Sequence, residues 1–187
     1  MPTQARPPDT PTRWSWLPST CQVCGAWPAR PLGQPVCGPC LDAFAPATAR
    51  CPTCALALSP TTLHCSECPQ QAPVLAHCVA AVDYGYPWDE PIARFKFHGD
   101  TAWEHLFGAL MTQAPGASEL LTGCDSFIPM PLTRQRLGER GYNQAWLLAR
   151  ALASRSTEWG QKPQRGWLVK LRDTPPQHEL DRRSRLT

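Results

Sequence analysis

The rhythm of apolar and polar positions changes at about Pro73. Before it, glycine and proline punctuate a chain poor in large aliphatics; after it, apolar residues recur at regular intervals. Val74 to Tyr84 (VLAHCVAAVDY) has small and branched residues and no breaker, which predicts a strand or a buried extended run. Trp88 to His98 (WDEPIARFKFH) predicts a helix with Pro91 in its first turn, and Ile92 and Phe95, joined by Trp88, form one face. Gly99-Asp100 ends it. Thr101 to Thr112 predicts a second helix with Trp103, Leu106, Phe107 and Leu110 inward. After a Gly/Pro loop, Asp125 to Met130 predicts a short strand bounded by Pro129 and Pro131. A basic loop then leads to a helix from about Gln144 to Arg155, striped by Ala145, Leu148, Ala149 and Leu152, with Asn143 as its N-cap.

The first half draws its order from cysteine instead. Eight of the ten cysteines form four Cys-x-x-Cys pairs within 48 residues: Cys21/Cys24, Cys37/Cys40, Cys51/Cys54 and Cys65/Cys68. A two-residue spacer turns two thiolates toward one ion, and a second pair about a dozen residues on completes a tetrahedral shell. Two shells follow, so residues 19–72 predict a double zinc ribbon with two structural Zn²⁺ ions. Consecutive pairing is favoured over an interleaved arrangement. Met1 to Pro18, a tail expected to be disordered, lacks the apolar core of a signal peptide, which argues against a disulfide framework. A redox Cys-x-x-Cys usually stands alone beside a βαβ pattern, and here there are four. With so few aliphatics to bury, the segment depends on metal for stability, and removing zinc is expected to unfold it. Cys78 and Cys124 fall outside the pattern and read as structural free thiols.

Charge divides the chain. Residues 1–129 carry 6 basic against 10 acidic residues, and residues 130–187 carry 12 against 5, for a net of −4 and +7. The basic half suits an anionic partner, a phosphorylated metabolite or nucleic acid, although a solvated basic surface accounts for the charge equally well. No apolar stretch approaches the roughly 20 residues of a membrane span, and the chain reads as cytoplasmic. At the junction before the last helix, Gly141 lies beside a helix N-terminus with Arg134, Arg136 and Arg140 close by. Free N–H groups, the helix dipole and guanidinium forks there address one anion.

The order of the cysteine pairs, FKFHGD (Phe95 to Asp100), IPMPL (Ile128 to Leu132), RLGERGYNQA (Arg136 to Ala145) and TPPQHELDRRSR (Thr174 to Arg185) resembles the ComF family of competence-associated, phosphoribosyltransferase-like proteins. The resemblance covers roughly residues 20–187. It implies a zinc-ribbon module followed by an α/β domain over residues 73–187, the N-terminal part of a type I phosphoribosyltransferase-like doubly wound sheet. It implies also a cytosolic protein linked to single-stranded DNA during natural transformation, with a competence helicase-type partner. By resemblance, Arg140, Gly141 and Asn143 meet the pyrophosphate of phosphoribosyl pyrophosphate (PRPP), bound with Mg²⁺ in complete relatives. Thr174, Gln177 and Arg182 or Arg183 belong to a loop closing over the substrate. Lys96 either faces that site or is a solvated lysine on an amphipathic helix.

One departure qualifies these roles. The family carries a later strand ending in two acidic residues and a Thr/Gly-rich loop that grips the ribose 5′-phosphate, and this sequence contains no such segment. The sheet is expected to be incomplete and the chain to have little or no transferase activity by itself. Three functions compete: a ComF-type protein of DNA uptake, catalytically incomplete; a zinc-ribbon module binding single-stranded DNA or protein, with Trp27, Trp146 and Trp167 as stacking surfaces; and a nucleotide-salvage or amidophosphoribosyltransferase-like enzyme, against which the missing acidic loop argues.

Overall fold

A computed structural model describes residues 18–30, 33–59, 61–62, 65, 68, 75–155 and 163–172. Six α-helices order them: α1 (Gly38–Phe44), α2 (Asp89–Phe97), α3 (Glu104–Gln113), preceded by a 3₁₀ turn at Thr101–Trp103, α4 (Ala117–Gly123), α5 (Arg134–Arg140) and α6 (Gln144–Ala153). No described helix is long and apolar enough to cross a membrane.

Helices form where the apolar period of 3.6 is supported at the ends. α2 places Asp89 and Glu90 in its first turn and Arg94 and Lys96 in its last, each sign matching the helix dipole. Thr133, buried, accepts a hydrogen bond at its Oγ1 from the Arg136 amide (3.3 Å) and so starts α5. Asn143 caps α6 as predicted, its Oδ1 accepting from the Trp146 amide at 3.1 Å. Between these two helices Gly141 has φ 76°, the left-handed conformation that closes a helix at least cost in glycine. The stretch expected to be a basic loop is therefore mostly helix, and Gly141 ends α5 rather than opening α6. The spacing of its single apolar residue, Leu137, gave no stripe from which to read that helix.

Two predicted strands are not formed. The described residues contain no strand, only isolated bridges between Arg50 and Ala57 and between Phe127 and Pro163. Pro129 and Pro131 have no N–H to donate, so pairing along 125–130 stops at one parallel bridge, with Gln164 N donating to Phe127 O at 2.8 Å. Residues 75–84 spend their apolar side chains differently. Val79 and Ala81 pack on a small cluster of Ala114, Ala117 and Leu121, and Ala81 and Val82 also lean on the main core. Residues 78–82 are half-buried and the ends of the run exposed, so it is a packed connector rather than the strand or buried extended run expected. Among the described residues, the stretch for which an incomplete α/β sheet was anticipated is helical and has no strand.

The main core crosses the boundary placed near residue 72. Cys21, Ala29, Val36, Cys37 and Cys40 bury in one cluster with Trp88, Phe95, Trp103, Leu106, Phe107 and Leu110. Phe107 is its hub, stacked on Trp103 (centroids 5.7 Å apart) and edge-on to Phe95 (5.5 Å). Behind it α3 and α6 pack closely, because Gly108 faces Ala151. A Cβ built at Gly108 would stand 2.8 Å from the Ala151 Cβ, inside van der Waals contact. We expect Gly108→Val to force the helices apart and destabilise the fold by about 1–3 kcal/mol, read as a lowered denaturant midpoint; an unchanged midpoint would refute this packing. On the far side, α3, α4 and α6 with residues 124–129 leave an open groove of about 380 Å³, lined by Met111, Leu121, Phe127, Ile128, Leu148 and Leu152 among others.

Candidate metal centres and the arginine loop

The eight paired cysteines gather as two groups of four, Cys21, Cys24, Cys37 and Cys40, and Cys51, Cys54, Cys65 and Cys68, with the sulfurs of each group all within 4.8 Å of one another. The grouping is consecutive along the chain. Bonds of 2.3 Å to a tetrahedral ion put sulfurs about 3.8 Å apart. The observed Cys24–Cys37 and Cys51–Cys68 separations, 3.7 and 3.6 Å, match that edge, while Cys54–Cys65 and Cys65–Cys68 are tighter at 3.3 Å. None is a disulfide. Four thiolates in such an array suit a structural zinc ion, closed to further ligands.

Local sequence builds each half-site. In CQVCGA the Gly25 amide donates to Cys21 O and the Cys21 amide to Ala26 O, both at 2.9 Å, folding a tight knuckle with Gly25 at φ 73°. CPTCAL repeats it: Ala55 N donates to Cys51 O at 2.8 Å, Cys51 N to Leu56 O at 2.9 Å, and Ala55 takes the glycine's place at φ 59°. The Cys37/Cys40 pair is different. Gly38-Pro39 between Cys37 and Cys40 opens α1, so a helix start presents those two sulfurs. The Cys37 amide donates to the Cys21 sulfur at 3.4 Å, the kind of outer contact that orients a metal thiolate.

The thiols are unequal. Burial pushes Cys21 up, but backbone amides of Cys24, Cys37 and Val23 outweigh it and bring the thiol down to about 6. Amides of Cys65 and Cys54 take Cys51 to about 5. Cys40 is pushed up to about 12 by burial and by its three neighbouring thiols, and Cys68 is raised by the thiols of Cys65 and Cys54. Each group thus offers an anchoring thiolate and a reluctant one, and a dication held by the four sulfurs would favour the deprotonated form of the second.

The first group is embedded and the second peripheral. Cys21, Cys37 and Cys40 are buried, and Trp88 Nε1 donates to Phe44 O at the end of α1 (2.7 Å). Around the second, Cys54 is exposed and Cys65 and Cys68 half-buried; Cys78 N donates to Pro52 O at 2.7 Å, and Arg50 spans Ala55 O at 3.1 Å and Asp83 at 2.7 Å. Cys78 and Cys124 join neither group.

Among the other residues singled out in the sequence, Arg140, Gly141 and Asn143 sit together at the α5–α6 junction. Arg140 lies over the Phe97 ring, 4.9 Å from its centroid. Asn143 is held at both ends of its amide, Nδ2 donating to Met130 O at 3.0 Å. Arg134 is exposed at the start of α5 and Arg136, two residues on, half-buried. Thr174, Gln177, Arg182 and Arg183 lie outside the described residues. Trp27 and Trp167 are exposed, whereas Trp146 is half-buried beneath the Arg165 guanidinium, 4.8 Å from its ring. Tyr142, unremarked in the sequence, donates from its hydroxyl to Phe95 O on α2. That contact spans 47 residues and has no local signal.

No protein-family model matches this chain, and neither does any solved structure. Among curated proteins it is similar to the DNA utilization protein YhgH of Salmonella typhi and to that of Salmonella typhimurium strain LT2. Each is 27% identical over 173 residues, which cover 90% of this chain and 74% of the relative.

Proposed function

We propose that this chain serves DNA uptake as a ComF-type, phosphoribosyltransferase-like protein. Two zinc ions hold its first half, and its basic second half binds single-stranded DNA. The observation that carries this reading is the similarity over 90% of the chain to a protein named for DNA utilization. The net charge of +7 over residues 130–187 supports it. PRPP with Mg²⁺, engaged through Arg140 and Gly141, is the ligand the family resemblance offers for the same junction.

Fluorescence anisotropy with labelled oligothymidylate tests the reading. If about four phosphates are neutralised, affinity should fall roughly fiftyfold between about 50 and about 200 mM salt, following the single-strand counterion slope. Absence of binding at low salt, or binding indifferent to salt, would reject the nucleic-acid reading. Calorimetric titration with PRPP and Mg²⁺ separates the alternative: tight binding there without oligonucleotide binding would make the chain a metabolite-binding protein.

A further inference from the structure

Solvent reaches the sulfurs of the two four-cysteine groups unequally. In the first, Cys21, Cys37 and Cys40 are 2%, 7% and 7% exposed and belong to the main core with Trp88 and Phe95; Cys24 lies at the surface. In the second, Cys51 is buried, Cys54 is exposed, and Cys65 and Cys68 are half-buried. None of these four belongs to an apolar cluster of the described residues. The two exposed sulfurs also face different neighbours. Cys24 stands 3.7 Å from the sulfur of buried Cys37, whereas Cys54 stands 3.3 Å from Cys65, inside the roughly 3.8 Å edge of a tetrahedral thiolate shell. A disulfide brings its sulfurs to about 2.05 Å. Closing Cys54 onto Cys65 is a short movement at the surface, while closing Cys24 onto Cys37 drags a core residue.

Hydrogen bonds tie the second group's knuckle to the connector at residues 75–84. The Cys78 amide donates at 2.7 Å to the carbonyl of Pro52, which lies between Cys51 and Cys54. Arg50 Nη1 donates to Ala55 O, just past Cys54, at 3.1 Å and to Asp83 Oδ1 at 2.7 Å. From that connector Val79 and Ala81 reach the small cluster of Ala114, Ala117 and Leu121. A change in the shape of the knuckle is therefore felt first at residues 78–83.

We propose that the second four-cysteine group is an oxidation site, the place where hydrogen peroxide acts on this protein. Susceptibility to peroxide follows thiolate character and exposure, and Cys54 is the exposed member of its group. The Cys54 thiolate attacks one peroxide oxygen; the O–O bond breaks, hydroxide leaves, and Cys54 becomes a sulfenic acid. The Cys65 thiolate then attacks that sulfur, the S–O bond breaks, and a second hydroxide leaves. The two sulfurs have given two electrons to the peroxide and are joined as a disulfide. Cys51 and Cys68 remain as thiols, too few for a closed four-sulfur zinc shell. The knuckle loses the metal that fixed it, and its ties to Cys78 and Asp83 loosen. The first group, walled by the core, keeps its zinc. A dithiol reductant with zinc restores the four thiolates by exchange. None of these steps depends on what the basic half binds.

Hydrogen peroxide added to the full, zinc-loaded chain tests this. Released zinc is read with a chromophoric chelator, and disulfides are mapped by mass spectrometry after the remaining thiols are alkylated. One of the two zinc ions should be released as a Cys54–Cys65 disulfide forms, while far-ultraviolet dichroism stays nearly unchanged. Hydrogen exchange should speed at residues 78–83 and keep its initial rate in α2 and α3. Dithiothreitol with added zinc should restore both metal content and exchange. The double variant Cys78→Ser/Cys124→Ser should respond as wild type does; loss of the response there would assign it to those thiols and overturn the proposal. Should that variant fail to fold, the disulfide map of wild type decides. Release of both ions together, release from the first group, no release, or a disulfide joining any other pair would each overturn the site. Zinc release with the expected disulfide but unchanged exchange at 78–83 would keep the site and reject its link to the connector.

Discussion

Emptying the first cysteine group is expected to melt α2 and α3 along with the cysteine segment, because no boundary separates them. Cys21, Cys37 and Cys40 share a buried cluster with Trp88, Phe95, Trp103 and Leu106, so the sulfurs are wall material for a core whose other wall is helical. Structural zinc contributes on the order of 10–16 kcal/mol in small peptides, comparable to the whole stability of a domain. Without the ion, the Cys40 thiol takes up a proton and the wall loses its fixed point. Cys40→Ala should therefore remove one zinc and most of the helical signal in far-ultraviolet circular dichroism. Cys54→Ala should remove the other zinc and leave that signal nearly intact, since the second group is peripheral. Retention of helix with the first group vacant would show that the core stands without it. The expectation that zinc loss unfolds the cysteine segment thus extends, for the first group, into the helical region.

Trp88→Ala should be the most damaging single substitution away from the cysteines. The indole is 2% exposed and the largest fully buried side chain described. Truncating a buried tryptophan costs about 3–5 kcal/mol through lost burial and the cavity left behind. Its Nε1 also satisfies Phe44 O, the carbonyl at the end of α1, so the substitution loosens the cysteine side as well. Trp88→Phe keeps most of the volume and leaves that carbonyl unpaired, at a cost of about 1–3 kcal/mol. Chemical denaturation with zinc bound should rank wild type above Trp88→Phe, and Trp88→Phe above Trp88→Ala. Equal midpoints for the two variants would mean that the hydrogen bond, not the packing, holds the joint.

What was legible in the sequence was what repeats locally. A Cys-x-x-Cys spacing keeps two sulfurs close, so the eight cysteines that gather in two groups of four were readable, and so was their consecutive grouping. Amphipathic spacing gave α2, α3 and α6 with their inward faces, and a cap residue marked Asn143. The strands failed because a run of small and branched residues without a breaker does not supply a partner to pair with. Residues 75–84 use theirs against α4, and the prolines around 129 stop the ladder at one bridge. The shared core was invisible for the same reason: nothing in the spacing of Cys21 or Trp88 announces that the two lie in one cluster. Lys96 was weighed as a solvated lysine, and its half-burial had no signal in the sequence.

The groove between α3, α4 and α6 bears on how this protein will look in routine assays. Its lining from Met111 to Leu152 is apolar nearly throughout, and Ile128 at its rim is 43% exposed. Fluorescent dyes that light up on greasy surfaces should bind there at full native stability. A bright dye signal, ordinarily taken as the mark of a molten state, will in this protein accompany a fixed core, and near-ultraviolet dichroism of Trp88 and Trp103 becomes the trustworthy gauge of folding.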